Sequence, residues 1–159
     1  MKIQRVLALG VTMGLTVLAG QASADVSSYT SNTKSQSVAV GETKWLDLSS
    51  ARGNQITKRC YFKKGAAAVF FSAETGHISG PNGGLSARIR ILQPGPDFWI
   101  SPANGSFFLT AYDGSRAEGH AVHGGFRAKR TGVYGVRVQV RSTGQSNFSI
   151  DDLSLICMN

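Results

Sequence analysis

Residues 133–141 read VYGVRVQVR. Every second side chain is apolar (Tyr134, Val136, Val138, Val140), and Arg137, Gln139 and Arg141 stand between them. Period-two alternation over β-branched residues predicts a strand with one face in a core and the other in water. Downstream, residues 147–157 carry two apolar sets out of phase: Phe148 and Ile150, then Leu153, Leu155 and Cys157. The step from Ile150 to Leu153 is odd, so a β-bulge at Asp151-Asp152 is expected, turning both sets inward. Upstream, residues 85–92 place Ala87, Ile89 and Ile91 on one face and Arg88 and Arg90 on the other.

The same grammar extends through most of the chain. Further strands are expected at 37–40, 44–48, 55–62, 66–73, 106–112 and 121–129. In 55–62 one face holds Ile56, Cys60 and Phe62; 66–73 (AAAVFFSA) is apolar on both faces and reads as a doubly covered strand. Trp45 alternates with Leu46 and is compatible with a core position. The 19 glycines among 159 residues exceed the usual share of about 7% and, with Pro and Asn, punctuate the strands as turns. Residues 77–84 (HISGPNGG) and 94–105 (PGPDFWISPANG) read as loops, the second holding Phe98 and Trp99. No window carries a helical apolar stripe. The expected fold class is all-β: a single antiparallel β-sandwich.

At the start of the chain, Lys2 and Arg5 precede an apolar run from Val6 to Leu18 and then Ala22-Ser23-Ala24. This is the pattern of a secretory signal peptide, so residues 1–24 are expected to be removed. Residues 25–37, rich in Ser, Thr and Asn, read as a flexible lead-in, and 38–159 as the domain. No second apolar segment reaches spanning length, so membrane insertion is not expected. Export leaves the chain periplasmic or extracellular and argues against a cytosolic enzyme. There, an even pair of cysteines reads as a disulfide. Cys60 and Cys157 both fall on inward phases, which supports the same pairing.

Residues 131–140 (TGVYGVRVQV) followed by 148–155 (FSIDDLSL) resemble the closing strands of jelly-roll carbohydrate-binding modules. In those a G-x-Y-x-V-x-V strand precedes a last strand with Asp-Asp before apolar residues. Residues 124–136 (GGFRAKRTGVYGV) are similar to the penultimate strands of C1q/TNF-like jelly rolls, and the arrangement as a whole resembles small exported bacterial proteins of unassigned role. The resemblance covers the C-terminal half. It implies a jelly-roll sandwich, and a structural calcium held by an Asp of the closing strand.

The chemistry-bearing residues narrow the function. The formal net charge is +8. Arg88, Arg90, Arg127, Lys129, Arg137 and Arg141 all fall on outward phases; if their strands share a sheet they form one basic face that attracts polyanions. The plainer reading is a solvated face that keeps the protein soluble. Phe98, Trp99 and Tyr112 are candidate stacking platforms for sugar rings, or anchors that pin their loop. Asp151 and Asp152 are candidate calcium ligands, needing an early-strand partner such as Glu42 or Asp47; otherwise no cofactor is expected. His120 and His123, three apart on a strand, face opposite ways and do not chelate together. No G-x-S-x-G elbow and no phosphate-binding loop is present. Glu74, near His77, is the best-placed acid for a small hydrolase. The resulting expectation is a non-catalytic module for a glycan or other anionic cell-surface polymer. The alternatives are a structural or self-associating interaction protein and, third, a hydrolase.

Overall fold

The computed structural model describes residues 25–49, 55–93, 96–100, 107–111 and 118–159. They form eleven strands: β1 (Val26–Asn32), β2 (Gln36–Val38), β3 (Thr43–Trp45), β4 (Lys58–Phe62), β5 (Gly65–Ser79), β6 (Gly83–Leu92), β7 (Phe98–Ile100), β8 (Phe107–Ala111), β9 (Glu118–Ala128), β10 (Gly132–Gly144) and β11 (Asn147–Met158). All pairings are antiparallel. β1 and β2 lie end to end along one edge of β11, β3 and β4 along β10, and β7 and β8 along β6. With each collinear pair taken as one position, the first sheet runs β1/β2–β11–β5–β9 and the second β3/β4–β10–β6–β7/β8. Successive positions cross from sheet to sheet except between β6 and β7, and that order is a jelly roll.

The inward phases meet as expected. Ala87, Ile89 and Ile91 of β6, Tyr134, Val136, Val138 and Val140 of β10, and Phe148, Ile150, Leu153, Leu155 and Cys157 of β11 are all buried. The register of β11 against β5 slips between Asp151 and Ser154, and Asp152 takes a positive φ of 43°. This is the expected bulge, and it restores the buried phase after the odd step. Cys60 of β4 and Cys157 of β11 are disulfide-bonded, with Cα atoms 6.2 Å apart. The bond ties an edge of one sheet to the interior of the other. Tyr134 is buried, yet its hydroxyl donates to the Arg130 carbonyl at 2.7 Å, so no polar group is stranded. At one end of the sandwich two turns interlock: the Gln145 N–H donates to the Asn82 carbonyl at 2.8 Å. Gly144 has a φ of 78°, and a Cβ there would lie 2.7 Å from the Gly83 Cα.

Four expectations change. Residues 25–37 are not a lead-in: β1 and β2 occupy most of them and complete the edge of β11. Apart from Val38, which joins the core, their buried side chains are polar, and Thr30, Asn32 and Gln36 each find a partner in the segment after β3. Gln36 donates to the Asp47 carbonyl (3.1 Å) and accepts from the Asp47 N–H (2.9 Å). Asn32 donates to the same carbonyl (3.0 Å), and Thr30 to that of Leu48 (3.3 Å). Next, the two expected loops give way in part to strand: β5 continues to Ser79 and takes in His77, and β7 takes in Phe98 and Trp99. Nor is β5 covered on both faces, since Phe70 is 39% exposed on its outer side. Finally, Ile56 precedes β4 and is exposed rather than sharing the buried face of Cys60 and Phe62. The proposed signal segment 1–24 and Tyr112 lie outside the described residues.

Candidate functional site

The outer face of the β3–β10–β6–β7 sheet follows from alternation: where valines and isoleucines point in, arginines point out. Register places Arg137 directly opposite Arg90, Gln139 opposite Arg88, and Arg141 opposite Ser86. Two like charges directly opposite each other on a sheet are destabilising. Here the face supplies compensation. Trp45 of β3 pairs with Gln139, and Trp99 of β7 with Arg90. The two indoles lean across the intervening strands and stack, with centroids 5.7 Å apart and planes 4° from parallel. The Arg88 guanidinium sits 3.8 Å from the Trp99 ring centre, Arg90 5.5 Å from the same ring, and Arg137 5.7 Å from Trp45. At an exposed site a close contact such as that of Arg88 is worth about 0.5–1 kcal/mol, and the two longer ones, near the ~6 Å limit, add less.

Side-chain hydrogen bonds fix the arginines in place. Arg88 Nε donates to Gln139 Oε1 at 2.8 Å and Arg137 Nε to Thr57 Oγ1 at 2.6 Å. Arg90 pairs with Asp97 at 3.0 Å, the only salt bridge found on this face among the described residues. A pocket of about 120 Å³ opens beside the stack, walled by Thr43, Ser86, Arg88, Gln139 and Arg141. The face thus offers aromatic surface, hydroxyls, an amide and guanidiniums with donors to spare, the groups that grip an anionic sugar or phosphate.

Of the six cations expected on one basic face four share it, and exposed Arg59 of β4, opposite Gly135 of β10, joins them unforeseen. Arg88, Arg90, Arg137 and Arg141 share it, but Arg127 belongs to β9 and Lys129 follows it, and β9 pairs with β5 in the other sheet. Of the expected aromatics, Trp99 joins the arginines, whereas Phe98 turns toward the core and lines a cleft with Arg127 and Lys129. Trp45, compatible with a core position from the sequence, is instead partly exposed on this outer face and belongs to the site. Its phase, shared with Asp47 and opposite to buried Leu46 and Leu48, was the available signal.

On the first sheet's outer face Glu74 pairs in register with Asp151. The carboxylates of Glu74, Asp151 and Asp152 lie within 4.8 Å of one another. The acid beside the Asp pair is thus Glu74 and not Glu42 or Asp47; Glu42 accepts from the Ala39 N–H, and Asp47 is engaged by its own loop. Burial pushes the Asp47 carboxyl up. Hydrogen bonds from the Ser49 N–H and hydroxyl and the Gln55 N–H, together with the charge of Lys34, outweigh it and hold Asp47 below the ordinary carboxylate value. His120 lies 3.4 Å from Glu118, while His123 stacks on Phe70 outside the sheet, so the two do face apart. Glu74 and His77 are not brought together: His77 packs edge-on to Phe148.

No family model and no curated protein matches the sequence. Among solved structures, the chain is similar to the CBM22-1 xylan-binding domain of Paenibacillus barcinonensis Xyn10C. The two are 9% identical over 82% of this chain and 93% of that one, with a TM-score of 0.33. The strand order described above defines the fold: this is a disulfide-tied jelly-roll β-sandwich. Among the described residues no helix is long and apolar enough to cross a membrane.

Proposed function

We propose that the protein is an exported, non-catalytic binding module for an acidic glycan or another anionic cell-surface polymer. The binding surface is the outer face of the second sheet. The observation that supports this reading is the set of four outward arginines on neighbouring strands, three of them laid against a pair of stacked tryptophans. An ordinary solvated strand face has no need to hold Arg90 opposite Arg137 or to leave two indoles half-exposed. A linear polymer crossing the strands would meet cations and aromatic surface in one pass.

The test is binding of polygalacturonate, lipopolysaccharide and duplex DNA, with xylan as a neutral control, at low and high salt. Binding to the anionic members that weakens steeply with salt and is lost in an Arg88→Gln/Arg137→Gln/Arg141→Gln variant supports the reading. Salt-independent binding, or an unaffected triple variant, refutes it. A second reading, protein interaction or self-association, is favoured by the opposite face. There register aligns Tyr29, Ile156, Phe70 and His123 in one row across β1, β11, β5 and β9, with Tyr29 58% exposed. Sedimentation that changes with protein concentration and disappears in Tyr29→Ser/Phe70→Ser would support that reading.

A further inference from the structure

The two sheets meet at a second opening, independent of the arginine face. The edge strands β7 and β9 flank a cleft of about 360 Å³. In residues 126–129 (FRAK), alternation sends Phe126 and Ala128 toward the core and leaves Arg127 and Lys129 exposed. Phe126 is held from beneath: it meets buried Phe62 edge-on at 5.0 Å and Tyr134 at 6.3 Å. Phe98 of β7 leans against it at 5.4 Å with planes 56° apart. The floor of the cleft is thus the outermost layer of the aromatic core, and it is apolar and rigidly placed.

The rim carries the opposite chemistry. Arg127 and Lys129 have no carboxylate within ion-pair distance among the described residues. Asp97, which also lines the cleft, is paired with Arg90 at 3.0 Å, so its charge is already met by a cation other than these two. A phenyl floor repels a bare hydrated anion, and a rim with two unneutralised cations selects against a neutral ring. Together they fit a molecule with an apolar body and one negative end. The volume is that of about a dozen waters at ~30 Å³ each, sized for one ring with a short tail and too small for a polymer.

We propose that this cleft binds an amphiphilic carboxylate, with its apolar ring or chain on Phe98 and Phe126 and its carboxylate toward Arg127 and Lys129. The experiment titrates the purified protein with 4-phenylbutyrate, its neutral amide 4-phenylbutyramide, and the polar acid glucuronate, following ring resonances by NMR. Expected is saturable binding of 4-phenylbutyrate that shifts the Phe98 and Phe126 signals, weaker binding of the amide, and no saturation by glucuronate. Arg127→Gln and Lys129→Gln each weaken the acid about two- to fivefold, the range of an exposed ion pair, and leave the amide unchanged. Both residues are exposed, so these variants keep the fold, which a thermal melt checks. Equal binding of acid and amide, glucuronate binding as well as phenylbutyrate, or unmoved ring signals would each overturn the proposal. An Arg88→Gln/Arg137→Gln variant must bind phenylbutyrate normally; a loss there would place the ligand on the arginine face and overturn it, whatever the outcome with polymers.

Discussion

Replacing Trp99 with alanine tests whether the aromatic platform holds together in solution. The substitution removes the stack on Trp45, worth about 0.5–1.5 kcal/mol beyond area burial. It also removes the cation–π contact of Arg88 at 3.8 Å, worth about 0.5–1 kcal/mol. Arg90, at 5.5 Å, is near the ~6 Å limit of that interaction and adds little. The expected loss is about 1–2.5 kcal/mol of unfolding free energy, plus the transfer term for half-buried indole. A double-mutant cycle with Trp45→Ala isolates the stack, because the Arg137 contact of Trp45 cancels. The coupling should be about 1 kcal/mol, read from urea unfolding followed by far-UV circular dichroism. Since the chain has 2 tryptophans, nearly parallel and stacked, exciton coupling between them should also vanish in either single variant. Coupling below about 0.3 kcal/mol is ordinary additivity and, with an unchanged spectrum, would refute the platform.

Three further outcomes follow from the fold. Cys60→Ala/Cys157→Ala opens a loop of sequence separation 97; chain entropy alone then predicts a loss of about 4.7 kcal/mol, seen as a fall in Tm on the order of 15 °C. An unchanged melting curve would contradict a bridging role. Because the Asp47 carboxyl is held below its ordinary value, it stabilises the fold at pH values above the unfolded value near ~4. That contribution is lost as pH falls through the lowered folded value, so Asp47→Asn should lower stability at neutral pH and flatten this part of the acid limb. Gly144→Ala forces a side chain into a positive-φ turn against Gly83 and should cost about 1–3 kcal/mol in chemical denaturation. Gly119→Ala, where nothing lies within 4 Å, should stay within about 0.5 kcal/mol.

The sandwich could be read from local alternation, because each buried strand face is written in its own residues. β6, β10 and β11 are such cases, down to the bulge that brings Cys157 to Cys60. β1 and β2 could not be read this way, because their inward Thr30, Asn32 and Gln36 are stabilised by hydrogen bonds to a segment that sequence alone does not place beside them. The division of the cations failed for a related reason. β9 and β10 are separated by only a short turn, and a hairpin would have put Arg127 on the same sheet face as Arg137. Their separation depends on long-range pairing of β9 with β5, which nothing in residues 126–141 encodes. Trp99 was recognised as a site residue from its loop, but its partner Trp45 was not, since the meeting of β3 with β7 across two intervening strands is a property of the folded sheet.

The contrast between the two outer faces has an electrical consequence. The guanidiniums of Arg59, Arg88, Arg90, Arg137 and Arg141 stand on one side of the sandwich, and the carboxylates of Glu74, Asp151 and Asp152 cluster on the other. The two layers that separate them are only about 10 Å apart, so these groups set up a charge asymmetry through the thickness of the sandwich. Near any negatively charged surface that asymmetry would turn the protein before it touches, presenting Arg88 and Trp99 to the surface and leaving Tyr29 and Phe70 facing outward. Orientation would precede contact, and raising the ionic strength would abolish the turning before it abolished the encounter.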